Sequence, residues 1–252
     1  MSYPTTPEEG RTRPLSARTR RDMVRRAAVP VLVLWLGVVA VGLLVVGPLD
    51  SLPAEVALNE ALVDQRTPVM DGVTSVWSNI GATAFIVGGC VVVVAALWWR
   101  TRQWRRAFVP AIAISVQATV FVTAAAVVGR ERPDVELLDE APPTSGFPSG
   151  HVGASTAFYL TLALLASRIR SAALRTALMA LFLLVPVLVA YARLYRGMHH
   201  LSDVVVGALN GGVCALLAWR YLHAQEARDE HPETLAAGRT EDDGASPAPT
   251  QG

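Results

Sequence analysis

The chain has 252 residues, of which 52% are hydrophobic and only 17% charged, with a net charge of +1 at pH 7. Soluble domains carry about 25% charged residues, so the composition excludes an ordinary water-soluble globule, and the balanced charge excludes a strongly basic nucleic-acid binder. All 22 basic residues are Arg; this removes lysine Schiff-base chemistry and the P-loop type of nucleotide site, which needs its Lys.

Residues 1–26 hold seven Arg against three acidic residues and read as a flexible cytoplasmic arm near anionic headgroups. Uncharged windows then follow at 27–49, 72–99 and 107–129. Each exceeds the roughly 18–20 apolar residues that cross a bilayer as a helix. The first is too long for a signal-peptide core and is followed by further spans, so it reads as a retained helix. Between the first two windows, residues 53–66 have the pattern of a short amphipathic helix on the membrane surface. Three shorter windows follow at 152–167, 176–192 and 204–219, each flanked by polar residues through which a helix can continue. Residues 223–252 are acidic and rich in Gly, Ala and Pro, the composition of a disordered tail.

The expected fold is therefore all-α: an integral membrane bundle of six transmembrane helices over 27–222, multi-pass in the cell membrane. Arg clusters at 11–26, 100–106, 168–175 and Arg220 all fall on one side of such a bundle. Positive segments stay cytoplasmic, which puts both termini inside and residues 50–71, 130–151 and 193–203 outside. Trp98, Trp99, Trp104 and Trp219 lie at the inner boundary, where interfacial aromatics collect. The two cysteines, Cys90 and Cys214, sit in apolar runs and offer neither a disulfide framework nor a metal site. The glycine-rich stretch 207–212 suggests close helix packing.

The outer segments hold most of the polar residues that need a reason. Gly129-Arg130-Glu131-Arg132-Pro133 ends the third span, Phe147-Pro148-Ser149-Gly150-His151 opens the fourth, and 193–203, with Arg193, Arg196, His199, His200 and Asp203, links the last two. Gathered at one membrane surface, they suit phosphate chemistry. Guanidinium groups grip phosphate oxygens bidentately. Ser149 and Gly150 at a helix start offer N–H groups and the positive dipole end to an anion. A neutral imidazole can attack phosphorus, and a second one can protonate the leaving oxygen. Asp203 lies four residues after His199, on the same helix face, where it could orient the ring.

These segments resemble the signature of the phosphatidic acid phosphatase type 2 superfamily of membrane lipid phosphatases: Lys-x6-Arg-Pro, Pro-Ser-Gly-His and Ser-Arg-x5-His-x3-Asp. Arg132-Pro133, then Pro148-Ser149-Gly150-His151, then Arg193, His199 and Asp203 match it at the correct spacing. The resemblance implies hydrolysis of a lipid phosphate or diphosphate monoester at the extracytoplasmic face, with no metal or other cofactor. It implies His199 as the nucleophile that forms a phosphohistidine, Asp203 as its orienting partner, and His151 as general acid and then base. Arg132, Arg193, Ser149 and Gly150 would bind the phosphoryl oxygens.

The chain departs from the pattern at Ala125, where the family has Lys, and at Ala192, where it has Ser. Arg130, two residues from Arg132, is the expected replacement for the Lys. The partners implied are a lipid phosphate substrate and the bilayer, with no nucleic acid. Phosphatidate, phosphatidylglycerol phosphate and undecaprenyl diphosphate all present the reacting group, and the Arg- and Ala-rich composition suggests a bacterial source. A vanadate-dependent haloperoxidase of related fold is an alternative that six spans oppose. A non-catalytic phospholipid-headgroup binder or carrier is another, opposed by the intact set of His151, His199 and Asp203.

Overall fold

The computed structural model describes residues 17–49 and 52–230, and among them the regular structure is entirely helical. In chain order the helices are α1 (Ala17–Val46), α2 (Pro53–Asp64), α3 (Pro68–Ile80), α4 (Thr83–Thr101), α5 (Trp104–Ala107), α6 (Val109–Val128), α7 (Gly150–Ala166), α8 (Ala172–Tyr195) and α9 (Leu201–Glu230). Among the described residues, five stretches are long and apolar enough to cross a membrane: Ala28–Val46, Thr83–Thr101, Val109–Val128, Ala172–Tyr195 and Leu201–His223. Helix α7 is apolar but has 17 residues, just below the usual length of a span.

Three boundaries differ from the sequence reading. The window 72–99 is not one helix. It breaks at Gly81-Ala82, where the Gly81 N–H closes α3 onto the carbonyls of Trp77 and Ser78 and Ala82 takes an extended conformation ahead of α4. A Cβ at Gly81 would lie 2.5 Å from Val189 of α8, so only glycine lets this corner sit on the bundle. Helix α1 begins at Ala17, inside the segment expected to be a flexible arm, because Arg and Ala are good helix formers and no Gly or Pro stops them. Helix α9 runs to Glu230, eight residues into the segment expected to be disordered. Residues 1–16 and 231–252 of those two segments lie outside the described residues.

Helix α7 is the centre of the bundle, packed on α8, α9 and α6; α1 lies against α6 and α9, and α4 against α6 and α7. The α7–α9 crossing is made of backbone. Added Cβ atoms at Gly207 and Gly211 would strike the carbonyls of Ser149 and Gly153, and one at Gly153 would strike Gln117 of α6. Where lipid is as apolar as the helices, such close approach is what holds spans together. Val38, Val39, Val120, Ala124, Val128, Phe147 and Val206 fill the space between α1, α6 and α9. Val152, Val185, Val189 and Val204 fill that between α7, α8 and α9.

At one end of the bundle, α2, α3 and the irregular segment 129–149 form an outer layer. The α2–α3 corner is pinned to the end of α8: Arg66 donates to the Tyr195 carbonyl, the Thr67 N–H donates to the Tyr195 hydroxyl, and that hydroxyl donates to Asp71 at 3.0 Å. Connectivity puts Arg100, Arg102, Arg168, Trp98, Trp99 and Trp219 at the opposite end.

Candidate active site

The layer meets the bundle where α6 and α8 end and α7 and α9 begin. The turn from α8 into α9 uses Gly197 at φ +73°, which favours glycine, and brings His199 beneath the 129–149 segment. His199 is 3% exposed. Its Nδ1 lies 2.8 Å from the Gly146 carbonyl oxygen. A carbonyl can only accept, so Nδ1 carries the proton and Nε2 is left with a free lone pair. Burial, together with the charges of Arg193 and Arg132, holds the His199 ring well below the usual imidazole range. His199 is therefore held as a neutral imidazole with its unprotonated nitrogen fixed in orientation.

Asp203 does not make that orienting bond. It is fully buried, with one oxygen 3.9 Å from His199 Nδ1. That oxygen instead accepts from the His200 N–H at 2.7 Å, and the other takes Arg130 Nη1 at 2.5 Å. The expected pairing thus gives way to a backbone carbonyl, which no sequence motif displays, and Asp203 stands behind the turn that carries His199.

Arg130 is likewise not placed as the substitute for the Lys missing at Ala125. Its Nη1 also donates to Ser202 Oγ, and its Nη2 to Glu55 Oε2 at 2.9 Å, so both terminal nitrogens are taken up by an ion triad of Glu55, Arg130 and Asp203. The reason is proximity: Glu55, on the first turn of α2, also accepts from the Ser202 N–H at the start of α9. Burial raises the Glu55 carboxyl, but the bonds from Arg130 and Ser202 outweigh it and hold the group below its ordinary value.

Arg132, Arg193 and His151 share the space around His199, near enough to act on it through their charges. Arg132 Nη1 donates to the Met198 carbonyl at 2.6 Å, which anchors the guanidinium beside the His199 turn. Arg193 Nη1 donates to Ser78 Oγ and Asp139 Oδ2, each at 2.7 Å, while its buried Nε has no partner. Arg196, also buried, bonds Asp139 Oδ1, the Leu138 carbonyl, the Asp71 carbonyl and Thr74. Asp139 thus bridges two arginines. Burial raises its carboxyl, and bonds from Arg196 and Ser78 with the charge of Arg193 bring it below the ordinary range.

His151 sits on the first turn of α7, within electrostatic reach of Arg193, Asp139 and Arg132. Ser149 precedes that turn; its N–H donates to the Asp203 carbonyl and its buried Oγ has no partner. The first-turn N–H groups of α7, Gly150 among them, lack intrahelical acceptors as in any helix. The structure thus brings His199, His151, Arg132, Arg193, Ser149 and Gly150 to one place and puts Asp203 directly behind it. Reasoning from sequence missed Glu55, Asp139, Ser202 and the Gly146 carbonyl. Among the described residues, no group of His, Cys, Asp and Glu is placed to hold a metal ion.

Comparison with known proteins bears on the fold. Residues 106–227 match the sequence profile of the PAP2 superfamily. The transmembrane PAP2-type phosphatidylglycerolphosphate phosphatase of Bacillus subtilis superposes with a TM-score of 0.66 at 21% identity, over 77% of this chain and 94% of that one. LpxE of Aquifex aeolicus superposes with a TM-score of 0.53 at 22% identity, over 66% of this chain and 94% of that one. No curated protein sequence matches significantly. At these identities the superpositions establish a common fold, while the matched segment contains all three motifs with their residues converging on one cluster. Residues 106–227 thus carry the PAP2 superfamily profile, within a fold shared with PAP2-type transmembrane phosphatases.

Proposed function

We propose that this protein is an integral membrane lipid phosphatase that cleaves a lipid phosphate or diphosphate monoester through a phosphohistidine. The observation that carries the reading is His199: buried, neutral, its Nδ1 proton committed to Gly146, with cationic groups around it. Burial alone keeps the ring neutral; the fixed tautomer and the arginines around it are what a nitrogen attacking a phosphoryl group needs.

In the first step Nε2 of His199 attacks phosphorus, the P–O bond to the lipid breaks, and His151 gives its proton to the departing oxygen. In the second, His151 takes a proton from water, the resulting hydroxide attacks the phosphohistidine, and orthophosphate leaves with His199 neutral again. Arg132 and Arg193 neutralise the phosphoryl oxygens, and Ser149 Oγ with the Gly150 N–H supplies further donors to the charge that builds in the transition state. Asp203 holds the turn and faces the cation that His199 becomes.

The remaining topology follows the charge pattern: six spans with α7 as the short one, a cytoplasmic N-terminal arm and C-terminal tail, and an extracytoplasmic site. The short span supports this, because a helix that stops below the surface holds its first-turn groups at headgroup depth. The test is phosphate release from phosphatidate, phosphatidylglycerol phosphate and undecaprenyl diphosphate by purified protein in excess EDTA. Release that persists, with an acid-labile phosphoenzyme absent from His199→Ala, is the expected result. Activity lost to EDTA and restored by Mg²⁺ would defeat the histidine mechanism.

A further inference from the structure

Beside the reacting groups, between α2 and the 129–135 stretch, lies a cleft of about 520 Å³. Its volume is in the range of small-molecule sites, and it reaches the phosphoryl position through Arg132, which lines both. The α2 face that holds Glu55 also presents Asn59 one turn later. Asn59 is 2% exposed, lines the cleft, and neither its Oδ1 nor its Nδ2 has a partner. His200, across the cleft, has a buried Nδ1 without a hydrogen bond, 3.4 Å from Asp203 Oδ2 and out of line with it. Buried polar atoms are almost always satisfied, and an exception calls for a reason. An amide has one acceptor and one donor group side by side, and a hydroxyl is the simple group that answers both. The cleft also carries Glu60, Glu131 and Asp134 against Arg130, which is already paired with Glu55 and Asp203, and Arg132, which faces the phosphoryl position, so a second phosphoryl dianion is poorly matched to it.

Resting on the phosphatase reading, we infer that this cleft is the subsite for the headgroup of the leaving alcohol. Asn59 and His200 select a lipid phosphate whose leaving group bears free hydroxyls, of the glycerol or sugar type. A leaving group that is a bare diacylglycerol leaves Asn59 unmatched, and one that ends in phosphate meets the carboxylates.

The experiment measures kcat/KM for phosphatidylglycerol phosphate, phosphatidate and undecaprenyl diphosphate in mixed micelles, for the wild-type protein and Asn59→Leu. The wild type should prefer the hydroxyl-bearing phosphatidylglycerol phosphate. Asn59→Leu should lower kcat/KM for it by roughly 10- to 100-fold, the scale of losing a hydrogen bond to a substrate hydroxyl in a closed site, and leave phosphatidate within about twofold. Thermal unfolding in detergent should rise, because an apolar side chain of similar size replaces two unpaired polar atoms. An equal loss on all three lipids, with a lower unfolding temperature, would make Asn59 a structural residue and overturn the subsite. So would an unchanged preference. If the leucine variant does not fold, Asn59→Ser must show the same selective loss. No phosphate release from any lipid by the wild type would instead bring down the phosphatase reading itself.

Discussion

The α7–α9 crossing and the outer layer over it are held together by opposite means. In the crossing, Gly153, Gly207 and Gly211 let one backbone rest on another, with no charged side chain between. In the layer, Arg130, Arg193 and Arg196 are buried, and each is committed to carboxylates: Glu55 and Asp203 for the first, Asp139 for the other two. The crossing fixes a distance; the layer fixes charges. The groups proposed to react stand where the two meet, His151 on the crossing's first turn and His199 just before α9.

The sharpest way to break that junction is His199→Ala. It should lower turnover by on the order of 100-fold or more and leave thermal unfolding little changed, since both regions keep their contacts. Near-normal activity in this variant would remove His199 from the nucleophile's role.

Breaking the layer comes next. Arg130→Ala strands two buried carboxylates, a change that costs about 3–5 kcal/mol, and a lowered unfolding temperature should accompany its loss of activity. Arg132→Ala should lower kcat/KM with far less effect on unfolding. If instead both variants lose activity with unfolding unchanged, Arg130 touches the phosphate after all.

The crossing should respond to a single methyl. Gly207→Ala places a Cβ 2.5 Å from the Ser149 carbonyl, a backbone atom that cannot rotate away, and overpacking of this kind costs about 1–3 kcal/mol. It should also slow turnover by shifting His151 relative to His199. The same substitution at Gly88, where an added Cβ meets nothing, is the control.

The smallest effect separates the regions by pH. Glu55 and Asp139 have carboxyl values below those of the unfolded chain. Their contribution to stability is present above the unfolded value, about 4, and is lost as the pH falls through the folded values. Unfolding temperature should drop below roughly pH 4, and Glu55→Gln should flatten that drop. His199 adds in the same direction from higher pH: its folded value lies below the usual imidazole range, so the unfolded chain binds the extra proton first and stability begins to fall below roughly pH 6.5. An identical acid profile in Glu55→Gln would show that the triad contributes nothing to it.

The two regions also differed in how far they could be read from sequence. The crossing announced itself through glycines 207–212, and the motif residues through their fixed spacing on helix ends, where i to i+4 is a geometric statement. The layer's pairs are non-local: Arg130 finds Glu55 75 positions away, and Arg193 finds Asp139 54 positions away. Nothing in the neighbourhood of either acid marks it. Arg130 was misplaced for that reason, since its sequence distance to Arg132 is small while its guanidinium is claimed by α2. The Gly146 carbonyl carries no side chain, so the acceptor that His199 Nδ1 uses had no residue type to betray it. The break at Gly81 was hidden because the window around it is uncharged throughout.

The backbone contact between α7 and α9 has a further consequence, in the thickness of the surrounding bilayer. Helices meet a thicker or thinner bilayer by tilting. The outward faces of α1 and α4 are apolar and exposed, and these helices meet the rest of the bundle through side chains, Val38 and Val39 of α1 and Ile86 and Cys90 of α4, which can re-pack as they tilt. At Gly207 and Gly211 there is no side chain to re-pack, so α7 and α9 move together or not at all. The separation between the Ser149–His151 turn and the His199–Asp203 turn then stays constant as acyl chains lengthen, and turnover in vesicles of short and long lipids should differ little. On the proposed function, the distance between the two histidines would not depend on the membrane's depth.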